Sequence, residues 1–206
     1  MNYWQFRNRF YDLGCFFIHQ VYAWQPGFDK NSLSRWVKKG LLIKLRNGCY
    51  CFPEHLDRPG FVYFVSNRIY RPSYISLHSA LAFYGLIPEA VVRTTAVSAL
   101  KKAKFENAFG TFTYQQITSR LMFGYDAKLF SFGQTVLFAQ PEKALLDLLY
   151  LYPFYDTPQE MEELRLDEDF LHQDFNVERF TEYADRFQSK ALNKRKEILL
   201  EVYDLK

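Results

Sequence analysis

The sequence predicts an α+β chain in two parts. A small helical domain closed by a β-hairpin spans residues 1–55, and a mixed α/β domain with a helical C-terminal end spans 56–206. Three observations predict this. Apolar residues at helical spacing recur three times before an Asn-Gly pair set between two short apolar runs. A segment rich in proline, glycine and charge, "PEHLDRPG" (53–60), follows and reads as a linker. Beyond it, β-branched runs alternate with helical patterns, and from residue 156 onward the pattern is helical and charged.

In the first part, Tyr3, Phe6, Phe10 and Leu13 share one helical face over 3–13, and Gly14 is a natural stop. Residues 16–25 read as a second short helix ended by Pro26-Gly27. Asp29 or Asn31 can cap a third, in which Leu33, Trp36 and Val37 sit at i, i+3 and i+4. Gly40 suits the position just past its end. Leu41–Leu45, a turn and Cys49–Phe52 then form a hairpin, because Asn47 and Gly48 both tolerate positive φ.

In the second part, 61–75 reads as a strand or short helix. Leu77, Ala80, Leu81 and Tyr84 mark a helix stopped by Gly85. Residues 91–99 are β-branched and predict a strand; 104–117 predict a hairpin turning near Asn107–Gly110; 135–139 predict another strand. Pro141 opens the helix "PEKALLDLLYLY", with Leu145, Leu148, Leu149 and Tyr152 as its buried stripe and Lys143 and Asp147 as an exposed i, i+4 pair. Turns are expected near Asp174–Asn176 and Lys190–Asn193, and at the Phe-Gly pairs 109–110, 123–124 and 132–133.

The net charge of +3 conceals a gradient. Residues 1–55 hold 8 Lys/Arg against 3 Asp/Glu, and 56–110 hold 7 against 3. Residues 111–150 balance at 3 and 3, and 151–206 hold 8 against 14. A basic front and an acidic tail suggest a polyanion partner at the front. Three helices followed by a hairpin is the winged helix-turn-helix arrangement, whose third helix enters the major groove of double-stranded DNA. With Leu33, Trp36 and Val37 inward, Ser32, Arg35 and Lys39 project outward, flanked by Ser34 and Lys38. Lys44, Arg46 and Asn47 occupy the wing. Arginine can read guanine, while lysine and serine hold phosphates. A basic helix end that only faces solvent, or a winged helix that binds protein, reads the same way. Arg93, Lys101, Lys102 and Lys104 form a second basic surface beside the 104–117 hairpin, or a solvated turn.

Chemistry-bearing patterns are sparse. Asp167, Glu168, Asp169 and His172 lie close together but lack the Gly-Ser context of a nucleotidyltransferase, so an acidic helix end is expected rather than a metal site. No Gly-x-Ser-x-Gly, phosphate-cradling glycine loop or HExxH occurs. Neither enzymatic activity, nor a cofactor, nor a metal is expected. Cys15, Cys49 and Cys51 have no metal-ligand spacing and read as reduced, buried thiols. No apolar run approaches the roughly 18 residues of a membrane span, and residues 1–30 show no basic-then-apolar leader, so a cytoplasmic protein with no membrane partner is expected.

"YISLHSALAFYGLIPEAV" (74–91), "FENAFGTFTYQQI" (105–117), "AQPEKALLDLLYL" (139–151) and "DFNVERFTEYADRF" (174–187) closely resemble the AbiEi-type antitoxin family. Members are bacterial transcriptional regulators paired with a nucleotidyltransferase toxin in AbiE-type toxin–antitoxin systems. The resemblance covers nearly the whole chain in order and spacing. It implies a winged-helix front that binds inverted repeats upstream of its own operon and represses it. It also implies a C-terminal domain over 56–206 that counters the toxin, with no stable complex assumed. Solitary regulators without a toxin belong to the same family.

Overall fold

Asn2 starts the first helix, α1 (Tyr3–Phe10), by a reciprocal cap in which its side chain accepts from the Gln5 N–H and the Gln5 side chain accepts from its own. This is a computed structural model, and it describes residues 2–88 and 92–205. A 3-10 turn carries α1 to Gly14, whose φ of +68° and closeness to Phe64, 2.8 Å from where a Cβ would sit, leave no room for a side chain. The chain then enters a strand, β1 (Cys15–Phe17), before α2 (Ile18–Trp24). The sequence reading makes 16–25 one helix; its first residues instead pair with a strand far ahead in the chain, a partner that local spacing cannot reveal. α3 (Asn31–Lys38) is opened by Asp29, which accepts from the Asn31 N–H at 3.0 Å, so Asp29 and not Asn31 supplies the cap-like bond.

The predicted hairpin is present as β2 (Ile43–Arg46) and β3 (Cys49–Cys51) around Asn47-Gly48. With β1 it makes a three-stranded antiparallel sheet in the order β1-β3-β2, with Cys15 opposite Cys51. Side chains alternate across it. Phe16 and Phe52 join Phe6, Phe10, Val21 and Leu33 in a core under the three helices. Cys15, Leu45, Cys49 and Cys51 face the other way and join the larger core. This small sheet is buried on both faces.

Within the expected linker 53–60, His55 is buried while Glu54, Leu56, Asp57 and Pro59 are exposed. Pro53–His55 is a 3-10 turn, and the buried His55 ring lies 4.6 Å from Phe61 and 4.8 Å from Tyr11. α4 (Phe61–Ile69) and β4 (Ser73–Ile75) follow, then α5 (His78–Phe83). Val91, where the next expected strand begins, and the Glu89–Val91 end of the first resemblance segment lie outside the described residues. β5 (Arg93–Ser98), the hairpin β6 (Ala103–Asn107) and β7 (Gly110–Gln116), β8 (Tyr125–Leu129) and β9 (Thr135–Ala139) complete a six-stranded mixed sheet in the order β6-β7-β5-β4-β9-β8. β8 is absent from the sequence reading, since "YDAKL" alternates weakly and is an edge strand held by β9.

α6 (Pro141–Leu151) runs directly from β9 and is buried nearly all round. Four helices close the chain: α7 (Pro158–Glu162), α8 (Glu168–Gln173), α9 (Val177–Phe187) and α10 (Lys190–Val202). The turn near Asp174–Asn176 is present, with Asn176 capping α9. The last turn comes earlier than expected, because Ser189 caps α10 and Lys190–Asn193 is already helical. The chain is therefore mixed α+β, 46% helix and 20% strand, with a helical C-terminal end. Among the described residues no helix is long and apolar enough to cross a membrane.

Candidate functional site

The inward face of α3 fixes what its outward face presents. Leu33 is buried, and Trp36 lies 4.8 Å from Phe6, 5.5 Å from Tyr3 and 6.0 Å from Phe28. These ring contacts hold the helix in one rotation, leaving Ser34, Arg35, Lys38 and Lys39 exposed, with Ser32 half-buried beside them. The Arg35 guanidinium donates to Ser32 Oγ at 2.8 Å and to Asp29 at 3.3 Å. Its side chain is 66% exposed, so this pair is weak and readily exchanged for another anion. Lys39 ends the helix before Gly40.

The hairpin splits the expected wing set. Lys44, Arg46 and Asn47 are all exposed, but Arg46 has partners within the chain. Its guanidinium donates to the Ile69 carbonyl at 2.7 Å and lies 4.4 Å from the Phe105 ring centre. The Asn107 amide donates to the Leu45 carbonyl, and the Gly48 carbonyl accepts from Ile18 N–H at 2.8 Å. The hairpin is tied to the larger sheet on one side and to α2 on the other.

The second basic set is not one cluster. Arg93 starts β5 and is level with Thr111 and Glu106, whereas Lys104 is level with Thr113 and Thr95. Lys101 and Lys102 follow the far end of β5, where the Lys101 carbonyl accepts from Tyr70. All four are exposed.

Of the acidic group, Asp167 caps α8, accepting from the Phe170 N–H at 2.7 Å. Among the described residues no group of three His, Cys, Asp or Glu side chains is placed to hold a metal. The three cysteines are free and buried, and burial pushes the Cys49 thiol up to about 12, so it stays protonated and inert at neutral pH.

Sequence reasoning misplaced the most polar structure in the chain. Lys143 and Asp147 are fully buried, not an exposed pair. Lys143 Nζ donates to Asp147 Oδ1 and to Tyr74 OH, the latter at 2.9 Å. Asp147 Oδ2 accepts from Tyr74 OH and Ser76 Oγ, both at 2.8 Å. The Phe123 and Phe187 rings lie 5.0 and 4.9 Å from the ammonium. Gly124 crosses over it, where a Cβ would come within 3.1 Å of the Lys143 stem. Burial pulls the Lys143 pKa down while Asp147 pulls against it, and burial drives the Tyr74 hydroxyl well above the usual tyrosine range. Next to it, Glu142 accepts from the Asn176 N–H and Gln140 accepts from Tyr183, so the helix start is held by α9. Sealed in this way, the cluster joins strand to helix and cannot meet a substrate. The available signal was the row Ala144, Leu145, Leu146, Leu148, Leu149, apolar on every side of the helix and thus typical of complete burial. Arg68 and Arg71, which border a cleft beside α4, also went unremarked.

The chain matches no protein-family model, and a search of curated proteins finds no match in sequence.

Proposed function

We propose that the chain is a non-enzymatic, DNA-binding transcriptional autorepressor and antitoxin of the AbiEi type, with its first 55 residues serving as a winged helix-turn-helix. The observation that carries this reading is the exposed basic face of α3, held in one rotation by Trp36 and followed by a hairpin. The family resemblance of the later segments supports it. In this reading α3 enters the major groove of the operator, Arg35 contacts base edges, and Ser32, Ser34, Lys38 and Lys39 hold phosphates. Lys44 and Asn47 reach the backbone beside it, while Arg46 orients the hairpin. The partner is the inverted-repeat DNA upstream of the protein's own gene. The functional counterpart in the cytoplasm is a nucleotidyltransferase toxin, opposed without a stable complex.

The tied-down hairpin favours a second reading, in which the front is a protein-interaction module, since its bonds to the Ile69 carbonyl and the Asn107 amide limit its reach toward a DNA backbone. Fluorescence anisotropy on the upstream DNA and on a scrambled duplex, at two salt concentrations, separates the two. Wild type is expected to prefer its own DNA, and an Arg35/Lys38/Lys39 triple alanine to lose that preference. Arg35→Ala alone should cost about 1–3 kcal/mol of specific binding. Lys38→Ala should weaken both duplexes alike and reduce the salt slope by about 1. Equal binding of both duplexes, unchanged in the triple variant, would overturn the DNA reading. Co-purification of a neighbouring nucleotidyltransferase in that case would establish the interaction module.

A further inference from the structure

A cleft of about 610 Å3 opens between α4, β4, β8 and β9, within the size range of small-molecule sites. Its chemistry is two-sided. Phe64, Met122, Tyr125 and Leu137 supply an apolar wall. Tyr125 is stacked on Tyr74 at 4.8 Å, so its ring is fixed in place by the buried Lys143–Asp147 cluster behind it. Arg68, on the last turn of α4 with its guanidinium 5.5 Å from the Phe64 ring centre, and Arg71, just past the helix end, also line the cleft. Arg68 donates to the Cys15 carbonyl and Arg71 to the Asn67 carbonyl, and among the described residues no carboxylate pairs with either. Two guanidinium groups with no carboxylate partner, on a cleft of mixed apolar and polar lining, suit an anion.

Asn67 supplies the independent observation. It lines the cleft at 7% exposure, and its Oδ1 is committed to the Leu137 N–H at 2.6 Å. Its Nδ2 is closed off from solvent and has no hydrogen-bond partner among the described residues, so a ligand acceptor reaches it as the Asn67 side chain turns toward the cleft. A buried amide donor left unsatisfied is unfavourable, and an acceptor atom on a ligand removes that penalty. We propose that this cleft binds a small organic anion, with an apolar or planar body against Tyr125 and Met122, an acceptor on Asn67 Nδ2, and its charge between Arg68 and Arg71. A medium-chain acyl carboxylate and a nucleoside monophosphate share this chemistry. Arg68 also touches β1 through the Cys15 carbonyl, so the bound anion sits at the seam between the small sheet and the larger body.

The test uses the full chain and anilinonaphthalene sulfonate, an aromatic anion that fluoresces in apolar sites. Wild type is expected to bind one equivalent saturably. Arg71→Gln removes one charge at an exposed position and should weaken binding about tenfold or more, as loss of a charged hydrogen bond predicts; Thr135→Trp, at the exposed start of β9, fills the rim and should weaken binding as much by blocking entry. Thermal melts confirm that both variants stay folded, and Arg71→Gln carries the test alone if Thr135→Trp does not. Displacement by decanoate but not by adenosine monophosphate identifies an acyl carboxylate; the reverse identifies a mononucleotide. Neutral decanol should displace far more weakly than decanoate. Wild-type affinity in Arg71→Gln, displacement by decanol as strong as by decanoate, or displacement by neither anion overturns the proposal.

Discussion

Lys143 and Asp147 lie one turn apart on α6, both out of water, and each supplies the other's charge neutralisation. Removing one partner of such a pair strands a buried charge, whereas removing both leaves only a packing defect. Lys143→Met and Asp147→Leu should each cost about 3–5 kcal/mol, and the double substitution much less than their sum. Urea denaturation of the four proteins checks this; additive losses would mean the pair is not coupled. His55 makes a pH prediction. Burial, with Arg58 nearby, lowers its pKa to about 4. The unfolded chain, with an ordinary histidine near pKa 6.5, therefore binds more protons between those values, and stability falls as pH drops from about 6.5 to about 4. The loss attributable to His55 should reach roughly 2–3 kcal/mol. His55→Phe keeps a ring between Tyr11 and Phe61 and should flatten that part of the stability profile; an identical acid limb in the variant rules His55 out as its source. The Lys143–Asp147 pair by itself reads as surface, and only the apolar residues around it on α6 point to burial. A histidine in a Pro/Gly-rich stretch reads as loop, with no local signal for the rings that enclose His55. What buries them comes from Tyr74, Phe123 and Phe187 in one case and from Tyr11 and Phe61 in the other.

Elements whose signals are local were legible. The Asn47-Gly48 turn, the Pro141 helix start and the β6–β7 hairpin each depend on neighbours a few residues away. Elements that depend on a distant partner were not. β1 is a strand because β3 pairs with it, and β8 because β9 does. The same division runs through the candidate site. The outward face of α3 followed from the spacing of Leu33, Trp36 and Val37, while the docking of the hairpin rests on Ile69, Phe105 and Asn107. The two hairpin cations consequently differ in what they touch. Arg46→Ala should lower stability by about 1–2 kcal/mol, since a charged hydrogen bond and a ring contact are lost together. Lys44→Ala should leave stability within about 0.5 kcal/mol and, on the proposed operator, reduce the salt slope of binding by about 1. Denaturation midpoints and salt titrations of both variants decide. A stability loss in Lys44→Ala equal to that of Arg46→Ala would refute the assignment of orienting and contacting roles.

At the scale of the whole molecule, the basic front and acidic tail were plain in the sequence, but the way the halves join was not. Alternation along β1, β2 and β3 sends Phe16 and Phe52 to the core under the first three helices and Cys15, Leu45, Cys49 and Cys51 to the core of the larger sheet. A sheet buried on both faces makes each half a wall of the other, even though a Pro/Gly-rich stretch marks the passage between them. The three cysteines read as buried, but which core they face depends on the pairing of β1 with β3, which local patterning does not show. The consequence is cooperativity. Trp4, Trp24 and Trp36, the three tryptophans of the chain, all lie in the first 55 residues, whereas the long helices α6, α9 and α10 lie beyond residue 140. Tryptophan fluorescence thus follows the front of the molecule and far-ultraviolet circular dichroism mostly follows the back. If the shared sheet couples them, both signals should change at one urea concentration with one slope, as a two-state transition requires. The 1–55 fragment alone, with the Cys15, Leu45, Cys49 and Cys51 face uncovered, should show no cooperative transition. Separate midpoints for the two signals, together with a fragment that unfolds cooperatively on its own, would make the front an independent module that merely rests on the body.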